Sequence, residues 1–300
     1  MFSIVRFAIC KRIQGAIMIK LKDAVIGLRE IESESVDCVL IDPPYNIGKD
    51  FGNNKTKAEI KTYVAWCMEW YVESKRILKD SGTIYIYGFP EILAHLSVEI
   101  DLDHRWLQWH YTNKTVPRLN FWQRSHESIL CIWKDKNKRI FNRDQVREPY
   151  TDVYVKGYKD KKRKRPNSGS RFGTSEETVY TVNDKGALPR DVIKISSLAG
   201  GSGERYIYSP SSNKLFSRKQ AKKMNLSDGI SHPTQKPLAI TEKLLEACLP
   251  KENAKVVIPF CGTGSECYVC ETRGYDWDSF EINDDYCNMA NLLVKNGFPK

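Results

Sequence analysis

The chain has 300 residues, of which 41% are hydrophobic, 28% charged and 11% aromatic, enough apolar content over enough length to bury a core and to exclude an intrinsically disordered protein. A mean hydropathy of −0.49 argues against an integral membrane protein. Lys and Arg number 47 against 37 Asp and Glu, a net charge of +10, which admits an anionic partner, with nucleic acid the first candidate.

Met1–Lys20 is mildly apolar, but Arg6, Lys11 and Arg12 interrupt it and no small-residue cleavage site follows. Residues 1–17 therefore read as an N-terminal extension ahead of Met18. Asp23–Glu34 has the pattern of a short amphipathic helix. The apolar run Cys38-Val39-Leu40-Ile41 reads as a buried strand, stopped by Asp42-Pro43-Pro44-Tyr45 because two consecutive prolines cannot donate to a sheet ladder. Thr56–Lys79 is predicted as a long helix, with Ile60, Val64, Met68, Val72 and Leu78 at helical spacing. Ser81-Gly82 punctuates, Thr83–Tyr87 is a second strand, and Pro90 to about Glu99 is a helix. Trp106–Tyr111 and Ser128–Trp133 follow as strands. Such alternation predicts an α/β fold with a mostly parallel sheet and an antiparallel pair at its later edge.

From about Asp135 the apolar periodicity fades for roughly a hundred residues. Inside that stretch, residues 156–165 carry seven basic side chains against one acidic, a local charge of +6; such a run is either a solvated loop or a phosphate-contacting surface. Regular structure is predicted to return at Pro237, with Leu238–Cys248 a helix, Ala254–Ile258 a strand, Gly264–Arg273 a helix, Asp276–Ile282 a strand and Asp284–Asn296 a final helix. The chain divides accordingly into residues 1–17, a first α/β half at 18–134, a basic irregular region at 135–230 and a second α/β half at 231–300. The nine cysteines are odd in number and sit mainly in apolar runs, which reads as reduced thiols in a cytoplasmic protein. Cys267 and Cys270 fall in a predicted helix with no second pair at partner spacing, so they read as packing and no metal is expected.

Two strand ends carry chemistry, since ligands of open α/β sheets bind at the carboxyl ends of strands. Asp42-Pro43-Pro44-Tyr45 offers a carboxylate, a proline carbonyl and an aromatic ring on a stiff loop. A nucleobase amino group could donate to the Asp42 side chain and the Pro43 carbonyl while Tyr45 stacks on the ring; a plain strand-ending turn would use the same residue types. Val256-Val-Ile-Pro-Phe260-Cys-Gly262-Thr-Gly264 runs from a strand into a glycine turn that opens a helix, where backbone and helix N-terminus can approach a ligand. Cys267 stands where a dinucleotide fingerprint has its third glycine, which counts against NAD. Glu281 ends the next strand, 17 residues beyond Gly264, where an acidic side chain can hold ribose hydroxyls. An adenosine-containing cofactor without a pyrophosphate fits these features best. His232-Pro-Thr-Gln-Lys-Pro237 precedes the Leu238 helix.

These three motifs, in this order around a basic variable region, resemble the S-adenosylmethionine-dependent amino-methyltransferases of DNA, in their beta order. The resemblance covers roughly residues 19–295 and extends to Ser35–Ile41, Arg124–Leu130 and Glu281–Tyr286. It implies a doubly wound methyltransferase sheet with an inserted target-recognition region, and Asp42, Pro43, Pro44 and Tyr45 as catalytic. It implies that Phe260, Gly262, Gly264 and Glu281 hold S-adenosylmethionine, helped by His232, Thr234, Lys236 and Pro237 and by Asp23. Double-stranded DNA is the implied partner, contacted through Lys159, Lys161, Lys162, Arg163, Lys164 and Arg165. A cognate restriction endonuclease is a further candidate, with the chain acting as monomer or homodimer. Asp rather than Ser at position 42 implies adenine N6 as acceptor. An RNA or cytosine-N4 methyltransferase, or a non-catalytic DNA-binding protein, stays open. The sequence departs from the family pattern at two places: Ile258 where Asp is usual, two residues before Phe260, and Ser265-Glu266 where Thr-Thr is usual.

Overall fold

A computed structural model describes residues 19–46, 58–113, 119–158, 162–164, 177–179, 182–199 and 202–299. The expected extension at 1–17 lies outside these residues. The centre of the fold is an eight-stranded sheet. In chain order the strands are β1 (Lys20–Leu21), β2 (Val36–Ile41), β3 (Leu78–Gly88), β4 (His104–His110), β5 (His126–Trp133), then the short β6 (Lys162–Lys164) and β7 (Glu177–Val179) that pair with each other outside it, and β8 (Val192–Lys194). After β9 (Tyr206–Ser209) and β10 (Lys214–Ser217), a separate hairpin, come β11 (Lys255–Ile258) and β12 (Asp276–Glu281). The order across the sheet is β1-β12-β11-β2-β3-β5-β4-β8. The pairings from β1 to β3 are parallel, β5 is antiparallel to both β3 and β4, and β8 is parallel to β4. The mostly parallel α/β sheet with a later antiparallel pair is therefore the observed architecture.

Helices cover both faces, which is why Cys38–Ile41 is apolar without alternation and β2 is buried at all six positions, with Asp37 paired to Lys79 and the Lys255 amide. Cys38 and Leu40 point to the face covered by α6 (Leu238–Cys248) and α7 (Ser265–Arg273). Val39 and Ile41 point to the face covered by α1 (Ala24–Arg29), α2 (Ile60–Ile77) and α3 (Pro90–Ser97). The helix expected over Asp23–Glu34 is shorter, capped by Asp23, whose carboxylate accepts from the Val25 and Ile26 amides. In α2 the expected apolar face is corrected. The buried residues are Tyr63, Cys67, Trp70, Tyr71, Ser74 and Ile77, and Val72 is 54% exposed. The aromatic side chains remove more apolar area from water than the smaller aliphatic set, so they set the rotation of the helix. Leu78 and Lys79, expected as the last residues of the helix, already belong to β3, and Ser81-Gly82 marks an irregularity within that strand where its pairing with β2 shifts register.

The stretch at 135–230 carries more regular structure than its apolar spacing announces. It contributes α4 (Asp152–Tyr158), the edge strand β8, the β9–β10 hairpin and α5 (Arg218–Lys223). These pieces are three to seven residues long, too short to show a period. The hairpin is held by Tyr206 and Tyr208, which pack on Tyr286, Met289 and Leu293 of α8 (Asp284–Asn296). All eight described cysteines are free thiols, and Cys267 and Cys270 are both fully buried on α7. No helix among the described residues is long and apolar enough to cross a membrane.

The strand order reverses between β11 and β2. The chain leaves β11 through α7 toward β12, and leaves β2 through α2 toward β3, so the two outgoing loops part and leave a crevice at the carboxyl ends of the strands. At its edge Gly264 opens α7 with φ +80°, and a Cβ there would stand 2.7 Å from the Ala290 Cβ. Gly264→Ala is expected to cost about 1–3 kcal/mol from the left-handed backbone and the close approach together. A urea midpoint lowered at unchanged slope would confirm this; an unchanged midpoint would refute it.

Candidate active site

The loop after β2 and the segment before α6 meet through one buried cation. The Lys236 ammonium donates to both Asp42 oxygens at 2.8 and 2.7 Å and lies 3.5 Å from Glu127 Oε2. The Tyr45 hydroxyl lies 2.6 Å from Asp42 Oδ1 and 2.9 Å from Glu127 Oε2, its hydrogen serving either acceptor. Tyr111 Oη donates to Glu127 Oε1 at 2.5 Å. The ring faces of Tyr45 and Tyr87 enclose the ammonium, with centroids 5.2 and 5.1 Å away. Lys236 is 2% exposed, and burial alone would lower its pKa, but the Asp42 and Glu127 carboxylates outweigh it and carry the group up to about 12. Burial raises the Asp42 carboxyl and Glu127 adds to this, against the opposing pull of Lys236.

The turn itself is held from below. Tyr63 Oη donates to the Pro44 carbonyl at 2.8 Å. Asn46, at φ +54°, clamps the Ala58 backbone with its side-chain amide. The Pro43 carbonyl takes no hydrogen bond from the described residues. Tyr45, expected as an open stacking wall, is 3% exposed and meets Phe89 edge-on. Its hydroxyl is a donor to the carboxylates, a role the sequence pattern did not indicate.

On the β11 side the chain turns through Gly262 at φ +50° and Gly264. The Gly262 and Asn283 amides donate to the two oxygens of Glu281, each at 2.9 Å, and burial raises the Glu281 carboxyl. Phe260 packs its ring between Trp66 and Trp70. His232 stands edge-on to Tyr286 and accepts from the Thr234 amide through Nδ1. Burial, aided by the charges of Lys236 and Arg205, lowers its pKa to about 3, so it is neutral at pH 7.

A cleft of about 250 Å³ joins the two loops. Asp42, Pro43, Pro44 and Tyr45 line it together with Asp23, His232, Thr234, Lys236, Phe260, Gly262 and Glu281. Two expected cofactor residues do not: Pro237 caps α6 and Gly264 packs on α8. Lys236 lines the cleft but commits its ammonium to Asp42. Of the expected DNA-contacting residues, Lys159, Lys161 and Arg165 lie outside the described residues, and Lys162–Lys164 are described only as the backbone of β6 paired with β7. The sequence reading missed Glu127, Tyr111, Tyr63 and Tyr87 as parts of the site. Glu127 had a usable signal, a carboxylate at the head of an otherwise apolar strand.

A crevice at the reversal of a parallel sheet, with an acceptor-rich loop on one strand and a glycine turn backed by a strand-end carboxylate on the next, defines the methyltransferase class of α/β protein. The family model described as DNA methylase, of the N6/N4 methyltransferases, matches residues 36–292, and the chain belongs to that family. Among curated relatives, the type II methyltransferase M.HpaI of Haemophilus parainfluenzae is 27% identical over 282 residues, covering 92% of this chain and 73% of the relative. The DNA adenine methyltransferase YhdJ of Escherichia coli K12 is 25% identical over 272 residues, 89% of this chain and 79% of its own. The fold is similar to the cytosine-N4-specific PvuII DNA methyltransferase at TM-score 0.60 and 16% identity, covering 93% of this chain and 86% of that one. It is also similar to the M1.HpyAVI–SAM complex at TM-score 0.51 and 18% identity, covering 91% and 97%.

S-adenosylmethionine is the cofactor of this class, and the cleft suits it. A Cβ on Gly262 would stand 3.3 Å from His232 Nε2, so only glycine leaves the backbone open to a ligand there. The remaining lining residue of note is Glu266, on the first turn of α7. It is 5% exposed, and burial together with the Asp42 charge pushes its carboxyl up to about 7, against the pull of Lys236.

Two outcomes follow from these charges. Lys236→Met is expected to destabilise the fold by about 3–5 kcal/mol at pH 7.5, because it strands buried carboxylates. Urea unfolding should show this deficit shrinking as the pH is lowered, because burial raises the Asp42 carboxyl and the stranded group takes a proton; a deficit independent of pH would argue against it. For Glu266, a folded value above the unfolded one means that protonation favours the fold. Its contribution is full below about pH 4.5 and lost as the pH rises through about 7. Glu266→Gln should therefore raise stability in the absence of ligand by roughly 2–3 kcal/mol at pH 8 and leave it unchanged at pH 4.5; equal urea midpoints at pH 8 would contradict it.

Proposed function

We propose that this protein methylates the exocyclic N6 of an adenine flipped out of duplex DNA, as the modification enzyme of a restriction-modification system. The observation that carries this reading is the acceptor pair at the end of β2. Oδ1 of Asp42 already accepts from Tyr45 and Lys236, whereas Oδ2 accepts from Lys236 alone. A carboxylate oxygen has room for two donors, so Oδ2 keeps a lone pair for an amino group, and the Pro43 carbonyl supplies a second acceptor. Asp at position 42, the motif order and the similarity to a named DNA adenine methyltransferase favour adenine. The similarity to a cytosine-N4-specific fold supports cytosine as the second reading, since its amino group presents the same two hydrogens.

When bound, S-adenosylmethionine supplies a methyl group on a sulfonium, an electrophile that needs only an aligned lone pair. The adenine amino nitrogen is a poor nucleophile because its lone pair is delocalised into the ring. Asp42 and the Pro43 carbonyl draw its two hydrogens into positions that favour a tetrahedral nitrogen and free the lone pair for in-line attack. Positive charge grows on that nitrogen beside Asp42, which stabilises it and can take the proton afterward. Lys236 holds the carboxylate in place. Flipping the base costs a few kcal/mol of lost pairing and stacking, which contacts with the cleft walls offset. The basic run at 156–165 supports phosphate contact, independent of base identity.

Asp42→Ala should lower methyl transfer by at least about 10³-fold while S-adenosylhomocysteine binding stays within a few-fold. Nucleoside analysis of DNA from expressing cells should then show N6-methyladenine that disappears in the variant. N4-methylcytosine in its place would overturn the adenine assignment, and retained activity in Asp42→Ala the role of Asp42. Neutralising Lys161 to Arg165 should weaken duplex binding at all sequences and flatten its salt dependence by roughly 0.9 for each phosphate that the chain no longer neutralises; an unchanged slope in fluorescence anisotropy would place the DNA surface elsewhere.

A further inference from the structure

We infer that Glu266 holds the α-ammonium group of the cofactor's amino-acid moiety, the place in the cleft where a hydrogen-bonding cation is required. This rests on the methyltransferase reading of the site and goes beyond it, because the sequence departs from the family pattern at this very turn. Ile258, where an aspartate is usual, is 1% exposed and belongs to the apolar core. The end of β11 therefore offers no carboxylate. Glu266, where a threonine is usual, puts one back eight positions later, inside the cleft.

Four carboxylates line the cleft, and three are satisfied. Asp23 caps α1 through the Val25 and Ile26 amides. Glu281 accepts the Gly262 and Asn283 amides. Asp42 has Lys236 and Tyr45. Glu266 is met only by its own backbone amide and takes no hydrogen bond or ion pair from any other described residue, although it is 5% exposed. The two lysines that line the cleft are committed elsewhere, Lys236 to Asp42 and Glu127 and Lys22 to Glu30 at 2.6 Å. His232 is neutral at pH 7.

A buried carboxylate met only by its own backbone amide is costly unless a ligand supplies a further donor. The cofactor brings two cationic centres separated by three carbons. The sulfonium has no hydrogen to donate and must face the acceptor amino group at Asp42. The α-ammonium has three, and can satisfy a carboxylate fully. With the ribose end at Glu281, across the Gly262 turn, and the sulfonium before Asp42, the amino-acid end is left to the Glu266 side. The same carboxylate that destabilises the empty fold at neutral pH thus becomes a recognition group when the cleft is filled.

The test is calorimetric binding, without turnover, to the full chain and its Glu266→Gln and Glu266→Thr variants. Two ligands are compared: S-adenosylhomocysteine, which carries the α-ammonium, and 5′-methylthioadenosine, which has the adenosine and sulfur but no amino-acid group. The expected result is a loss of about 10- to 100-fold in S-adenosylhomocysteine affinity in both variants, with 5′-methylthioadenosine binding unchanged. Equal affinities for S-adenosylhomocysteine in parent and variants would overturn the assignment, and so would a parallel loss of both ligands, which marks a structural role. A parent chain that binds neither ligand at millimolar concentration would instead overturn the methyltransferase reading on which the assignment rests.

Discussion

One ion pair organises the working end of this molecule. Lys236 and Asp42 are 194 residues apart in sequence, and the lysine ammonium sits within 4 Å of Glu127 as well. It thereby ties the segment before α6 to the loop after β2 and to the head of β5. None of these charges could stay buried alone, since an isolated ion in a protein interior costs several kcal/mol after relaxation. Together they hold the acceptor loop rigid, and the tyrosine hydroxyls of Tyr45 and Tyr111 each add a donor to one of the two carboxylates. The adjacent glycine turn has no such freedom to move either, because Glu281 takes the Gly262 amide from the neighbouring strand.

Much of this was legible in the sequence, for physical reasons that differ from element to element. The apolar run at 38–41 shows no alternation because both faces of β2 are covered, and Pro43-Pro44 ends it where the ladder must stop. The glycine turn and Glu281 could be placed because strand, turn and helix patterns follow one another with no gap. The rotation of α2 was not legible: spacing alone cannot rank an aliphatic face above an aromatic one, and Trp70 and Tyr71 decide it. Nor was Glu127 as part of the site. Its meeting with Tyr45 and Lys236 beside Asp42 is set by sheet order, a long-range property that local periodicity does not carry.

The elements between the two halves are short and lean on the larger frame. β8 extends the antiparallel edge through β4, while the β9–β10 hairpin lies on α8. Tyr206 links that hairpin directly to the cofactor turn, its hydroxyl donating to the Thr263 carbonyl at 2.5 Å. A segment whose own apolar content is too low for a separate core is thus fixed by borrowing surface from the methyltransferase sheet. Its placement beside the cleft follows from those interactions.

The short strand β1 has a topological consequence. It pairs with β12, the last strand in the chain, and the Ile19 amide donates to Asn291 on α8 at 2.9 Å. The first and last described parts of the chain are therefore neighbours on one sheet edge. Joining them and opening the backbone between the two halves would give a circular permutant in which the glycine turn precedes the acceptor loop, with every interaction of the cleft kept. The order in which the motifs are read along the chain is a property of where the backbone is cut, and the chemistry is indifferent to it.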